Sequence, residues 1–181
     1  MKETILNIIA LFNEKGNSIY GGEAVTQLQH GLQAATAARA KAATPAMVTA
    51  ALLHDIGHLL HTLPEDAPDN GIDDYHENLG ARYLSKYFLP EVSESVRLHV
   101  AAKRYLCATD IEYMGKLSSP SVISLNLQGG PMNADEIEVF EKELYFKQAV
   151  QLRYWDELAK DPNMVTEPLE SFIPDIEQSL V

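Results

Sequence analysis

The chain has 181 residues, 46% hydrophobic and 22% charged, which gives one domain with a sizeable core and excludes disordered and fibrous classes. Its 26 acids against 14 basic residues leave a formal net charge of −12. That balance argues against nucleic acid or an anionic membrane as partner, because phosphate backbones demand clustered Lys and Arg, but it admits a small anion where a few cations converge. Cys107 is the single cysteine, so an intramolecular disulfide and a thiolate-held zinc or iron–sulfur centre are ruled out, and a reducing compartment suits the chain.

Ile5, Ile8, Ile9 and Phe12 recur at helical spacing and Gly16-Asn17-Ser18 ends the segment, which predicts a first helix over about residues 3–15. Glu3, the polar Asn7 inside the apolar stretch and the lack of a small-residue cleavage site distinguish it from a secretory signal. No apolar run approaches the roughly 20 residues of a membrane span, and the expected location is the cytoplasm. Residues Glu23 to Ala43, rich in Ala, Gln and Leu, read as a second helix, and Thr44-Pro45 reads as cap and first-turn proline of a third that carries AMVTAALLHDIGHLL. Residues 62–75, with Pro64, Pro68, Gly71 and several acids, read as a surface loop or lid.

From His76 the pattern is helical to Phe88. Pro90 then punctuates, and Val92, Val96, His99 and Val100 share one face of the next helix. A short piece over Thr109–Leu117, a polar stretch in which only Ser121–Leu127 alternates, a helix from about Asn133 to Leu158 with room for a midway break, and a Pro-containing tail from about residue 161 complete the chain. There is no internal repeat and no strand-turn-strand signal. The expected fold is all-α, a single helical bundle over residues 1–181.

The sharpest local signal is His54-Asp55-Ile56-Gly57-His58. Adjacent His and Asp near a helix end can both face a metal, and a carboxylate has two oxygens with which to bridge two cations. The dipeptide alone is common, but His30, His76, His99 and Asp156 also lie on helical stretches able to converge, as metal sites in helix bundles require. Imidazoles and carboxylates without thiolate suit redox-capable iron, with manganese, zinc and magnesium also compatible. His58, one turn after His54, can reach the ligands from behind. Lys103 stands one turn after His99 and Arg153 one turn before Asp156, so two cations converge beside the metals and suggest an anion site. Arg104 is expected to face solvent, and Gly129-Gly130-Pro131 to form a turn.

The ordered set His30, His54-Asp55, His76, His99 and Asp156 resembles the HD-domain superfamily over most of the chain. Within it, the chain is similar to the mixed-valence di-iron oxygenases of organophosphonate catabolism, the PhnZ-type and TmpB-type enzymes; the longer myo-inositol oxygenase is a more distant relative. The narrower likeness rests on Tyr20-Gly21-Gly22-Glu23 with Val25-Thr26-Gln27, on Lys103-Arg104-Tyr105-Leu106, on Ser124-Leu125 with Leu127-Gln128-Gly129-Gly130, and on Arg153. The resemblance implies one iron held by His30, His54, Asp55 and Asp156, a second by His76 and His99, and Asp55 as the bridge. It also implies that Tyr20 and Glu23 close the site until substrate displaces them, and that Lys103, Arg153, Ser121, Ser124 and Gln128 contact a phosphonate.

The activity implied is dioxygen-dependent cleavage of the carbon–phosphorus bond of 1-hydroxy-2-aminoethylphosphonate, or its N-methylated analogue, to phosphate and glycine or glycine betaine, with Fe(II)/Fe(III) as cofactor. Tyr75, Tyr105, Asp73 and Asp74 are the residues expected to meet the substrate's amine, primary or quaternary. A metal-dependent phosphohydrolase is the rival enzyme class, because the H…HD…D frame serves both; the two further histidines and the Tyr20–Glu23 segment speak against it. A non-enzymatic binding module is disfavoured because all six metal-ligand positions are filled. Oligomeric state leaves no mark in the sequence.

Overall fold

A computed structural model describes residues 2–63 and 70–181. Among these residues the fold is all-α, with two isolated β-bridges, Ile19 to Thr26 and Phe88 to Leu180, and no strand. Residues 64–69, the middle of the expected lid, lie outside the described residues.

Helix α1 (Glu3–Lys15) buries Ile5, Ile8 and Phe12. Helix α2 (Gln27–Ala40) starts later than its composition suggests because Thr26 and Gln29 form a capping box, each side chain bonding the other's backbone N–H, which leaves Tyr20–Glu23 in the preceding turn. Its small residues Ala34, Ala35 and Ala38 are fully buried, and Gly31 lies so close to the Leu52 carbonyl that a Cβ would stand 2.6 Å from it.

Thr44 caps helix α3 (Pro45–Leu53) as expected, its hydroxyl accepting from the Met47 amide at 3.2 Å. The single helix anticipated over AMVTAALLHDIGHLL is instead two. Asp55 adopts φ −102° and ψ 14°, and α4 (Ile56–Leu60) begins beyond it. That break turns two adjacent side chains, His54 and Asp55, toward one interior point.

Helix α5 (His76–Leu84) follows a left-handed Tyr75, and α6 (Pro90–Thr109), opened by its proline, spans 20 residues with His99 and Lys103 on its buried face. Asp110 caps the short α7 (Ile111–Met114). The alternating Ser121–Leu127 is helical, not extended: Ser118 caps α8 (Ser119–Leu127) and Pro120 sits in its first turn, the same start signal as Thr44-Pro45. The long C-terminal helix does break, into α9 (Ala134–Phe140) and α10 (Phe146–Leu158).

Helices α2, α3, α6 and α10 pack on one another, so the residues they turn inward meet at the centre. The C-terminal segment packs back on α3 through a 3₁₀ turn (Leu169–Phe172) and α11 (Ile173–Gln178), with Leu169, Phe172 and Ile176 in the core. Arg39 fixes it there, pairing with Glu167 at 2.7 Å and Asp175 at 2.5 Å and lying 4.0 Å over the Phe172 ring.

Gly57 permits the closest helix approach, since a Cβ there would collide with the backbone of His76. Gly57→Ala is expected to push α5 off α4 and destabilise the chain by about 1–3 kcal/mol, read as a lower urea midpoint at unchanged m-value.

Candidate metal centre and anion pocket

Two groups of potential ligands stand side by side. His30, His54 and Asp156 form one; Asp55, His76 and His99 form the other. In the first, the two Nε2 atoms are 3.0 Å apart, and Asp156 Oδ1 is 3.3 Å from that of His30. In the second, His76 and His99 Nε2 are 3.2 Å apart. Asp55 lies between the groups, Oδ2 at 3.5 Å from His30 and 3.4 Å from His54, Oδ1 at 3.4 Å from His76 and 3.3 Å from His99. One carboxylate thus offers one oxygen to each histidine pair.

The protonation pattern shows whether a cation fits. A carbonyl oxygen can only accept, so His30 Nδ1 facing Ala159 O at 2.8 Å, His54 Nδ1 facing Ala51 O at 2.8 Å and His99 Nδ1 facing Val96 O at 2.7 Å must carry hydrogen. In the neutral rings the Nε2 lone pairs therefore point at one another. Asp55 Oδ1 and Oδ2 and Asp156 Oδ1 are buried with no hydrogen-bond partner. Opposed lone pairs and orphaned carboxylate oxygens in a closed interior are the arrangement a metal ion satisfies.

The electrostatics agree. Burial alone would lower the His54 pKa, but the Asp55 and Asp156 charges overcome it and raise it to about 10. Against the same burial, the surrounding histidines hold the Asp55 carboxyl, and the Arg153 charge with His54 and His30 holds the Asp156 carboxyl, well below the usual range. A site that attracts a proton so strongly attracts a metal cation for the same reason.

A cavity of about 220 Å³ opens onto these residues, small for a nucleotide. Tyr20 stands in its wall, stacked on His30 with ring centroids 3.7 Å apart, and burial with the Asp55 and Asp156 charges raises its phenol well above the ordinary value. Glu23 lines the same cavity but is tied elsewhere, accepting from the Ser118 hydroxyl and lying 3.6 Å from Lys160 Nζ. Left-handed Gly21 (φ 47°) and Gly22 (φ 80°) form the turn between them.

Two buried cations also line the cavity. Lys103 is 5% exposed, and its Nζ donates to Ser124 Oγ at 2.8 Å. Burial, then the Arg153 charge, lowers its pKa to about 7. Arg153, 4% exposed, donates through Nε to the Tyr113 hydroxyl at 2.5 Å, through Nη1 to Asp156 and through Nη2 to Glu157 at 2.6 Å. One N–H on each terminal nitrogen is left for a ligand. Helix α8 turns Ser121, Ser124 and Gln128 to the cavity at i, i+3, i+7 spacing, and Gln128 Oε1 is buried without a partner. His58 also lines the cavity, stacked on His76 at 4.0 Å.

Three expectations are corrected. Arg104 does not simply face solvent: its Nε donates to Gly130 O at 2.8 Å and its Nη2 to Glu136 at 2.7 Å, fixing the Gly129-Gly130 turn after α8. Tyr75 is 61% exposed and is not among the residues lining the cavity. Tyr105 is also outside the lining, its hydroxyl donating to Glu141 at 2.9 Å, so neither ring meets a ligand amine there. Asp73 and Asp74 do reach the cavity.

Structure adds residues that sequence reasoning passed over. Lys160 Nζ donates to Ser121 Oγ and Glu157 Oε1, both at 2.9 Å. It stands four residues after Asp156, the spacing that singled out Lys103 after His99, so a signal was present. Tyr113 carried none; only packing brings it to Arg153.

A family model described as the HD domain matches residues 28–128. The chain belongs to the HD domain family. It is 43% identical over 168 residues to the 1-hydroxy-2-(trimethylamino)ethyl phosphonate dioxygenase (glycine-betaine-forming) of Leisingera caerulea, covering 93% of this chain and 86% of that one. It is 40% identical over 179 residues to the hydroxymethylphosphonate dioxygenase of Gimesia maris, covering 98% and 89%. An uncharacterized protein of Acanthamoeba polyphaga mimivirus is 31% identical over 172 residues, covering 94% and 78%. The HD dyad for which the family is named is here His54-Asp55, at the helix break. Among the described residues no helix is long and apolar enough to cross a membrane.

An anion held by Lys103 in the metal-free protein should bind in a pH-dependent way, because the Lys103 pKa is lowered to about 7. The ammonium that attracts an anion is lost as pH rises through about 7, so sulfate, which does not itself titrate there, should bind up to about tenfold more weakly per pH unit above it. Lys103→Arg should remove the part of the dependence centred near pH 7 and leave any due to His58, which lines the same cavity with a raised pKa, as calorimetry between pH 6 and 8.5 would show.

Proposed function

We propose that this HD-domain protein is a di-iron oxygenase that cleaves the carbon–phosphorus bond of a small 1-hydroxyphosphonate with dioxygen. The observation that carries the reading is the sharing of Asp55 between two histidine pairs beside a cavity that the buried Lys103 and Arg153 also line. The two relatives named as phosphonate dioxygenases support it.

His30, His54 and Asp156 would hold one iron, His76 and His99 the other, and Asp55 both; when bound, the irons supply electron transfer and an open position for small ligands. The residues bind and orient. Lys103 gives the phosphonate a charge-assisted hydrogen bond, with Ser121, Ser124 and the free N–H groups of Arg153 as further donors. The Gln128 amide can accept from the substrate hydroxyl. His58 borders the reacting end, and Tyr20 with Glu23 forms the cover that substrate displaces. The overall reaction balances, since the two atoms of dioxygen are those gained when the hydroxyl-bearing carbon becomes a carboxylate and the phosphonate becomes phosphate.

For a substrate carrying an amine, Asp73 is the acid in the described lining not engaged by a histidine, an arginine or Lys160. Asp73→Ala should raise KM by up to about fivefold for an aminated or trimethylaminated 1-hydroxyphosphonate, the scale of a solvent-screened ion pair, and leave hydroxymethylphosphonate unaffected. The reaction class is tested separately. Phosphate release should match dioxygen consumption and stop on zinc replacement, because zinc has no redox chemistry. Equal phosphate release under strict anaerobiosis would replace the oxygenase by a phosphohydrolase.

A further inference from the structure

Three histidines converge on one carboxylate. Asp74 Oδ2 accepts from His58 Nδ1 at 2.7 Å and from His61 Nε2 at 2.8 Å, while Oδ1 accepts from His76 Nδ1 at 2.8 Å and from the His76 backbone N–H at 3.2 Å. His58 lies in α4, His61 ends it and His76 opens α5, so one side chain in the connecting loop joins both helices.

The four imidazoles that point Nε2 at Asp55 are held in three different ways. His54 and His99 donate Nδ1–H to the carbonyl three residues earlier, Ala51 and Val96, a contact the helix supplies as it forms. His30 uses Ala159 O at the end of α10. His76 is the first residue of its helix and has no preceding turn to offer a carbonyl. Its Nδ1–H goes to a carboxylate.

We infer that Asp74 is the positioning residue for His76: it fixes the ring so that the Nε2 lone pair faces Asp55 Oδ1, and its charge makes that imidazole the stronger metal donor. His58 and His61 hold the carboxylate in place from the α4 side, which gives His61 a role in the site although it is not itself among the residues lining this cavity. His58, Asp74 and His76 also stand within coordinating distance of one another, but the N–H donors account for that grouping without a metal. The inference rests on the proposed reading of His76 as a ligand.

The test is an anaerobic titration of the metal-free full chain with Fe(II) against a competing chelator, for the parent, Asp74→Asn, Asp74→Ala, His61→Gln and His76→Ala. Two equivalents are expected in the parent. One of the two dissociation constants should rise about 10- to 100-fold in Asp74→Ala and less in Asp74→Asn, which keeps an acceptor oxygen, with the other within about twofold. His61→Gln, which loosens the loop but leaves Oδ1 on His76, should change either constant by less than about threefold. Equal weakening of both sites, an effect of His61→Gln as large as that of Asp74→Ala, or no weakening at all would overturn the inference. So would a third equivalent lost in Asp74→Ala, which would make Asp74 a ligand itself. If His76→Ala leaves both constants unchanged, the ligand reading fails first; if it removes one site while Asp74→Ala does nothing, only the positioning role fails.

Discussion

The Asp55 carboxylate is buried with neither oxygen hydrogen-bonded, and four imidazoles surround it with their lone pairs turned inward. Such a charge left unpaired in a protein interior would cost several kcal/mol, and without a metal only the proton that Asp55 and Asp156 draw onto His54 offsets it. The fold accepts this arrangement at the junction of α3 and α4, where the helix interrupts itself to turn both His54 and Asp55 inward. A cation bound there would offset the cost, so under the proposed function the metal would be a structural partner of the helices as well as the seat of chemistry. The small residues of α2 and Gly57 serve the same end, because they let helices approach closely enough for side chains from α2, α3, α5, α6 and α10 to meet.

A second constraint is the handling of positive charge in a chain of net charge −12. Lys103 and Arg153 are buried beside the metal ligands, and each is restrained differently. Arg153 is braced by Asp156, Glu157 and Tyr113, which makes it a fixed background charge with donors to spare. Among the described residues Lys103 has only a neutral hydroxyl as hydrogen-bond partner, so under the proposed function it is the cation freer to respond to an incoming anion. Asp156 belongs both to the histidine group and to the Arg153 pair, so the candidate metal site and the candidate anion site share a side chain. Lys160 extends this network to Glu23, joining the Tyr20–Glu23 turn to the end of α10.

Much of this was legible in the sequence where a local rule sufficed. The Thr44-Pro45 start, the first helix, the break between α9 and α10, and the inward histidines follow from caps, apolar spacing and the family motif. Helix α8 was not legible, although Ser118 and Pro120 repeat the Thr44-Pro45 signal, because only Leu125 is buried and no apolar stripe marks the segment. The helix break at Asp55 has no proline or glycine at the break itself; it is set by tertiary demand. Arg104, Tyr105 and Tyr75 went elsewhere for the same reason, since nothing local tells a residue beside a motif whether its side chain points to the motif's cavity or to a neighbouring loop. The convergence of His30, His54, Asp55, His76, His99 and Asp156 was legible from the family motif, and Glu157 and Lys160 stand at helical spacing from Arg153 and Asp156, whereas Asp74 and Tyr113 take their places through contacts that only packing creates.

The shared carboxylate can be observed directly. Anomalous diffraction at the iron edge, from crystals of the iron-loaded protein, should show two peaks per chain, one among His30, His54 and Asp156 and the other between His76 and His99, with one Asp55 oxygen on each. A single peak, or a second one with Asp55 bound to neither or to only one ion, would contradict the account.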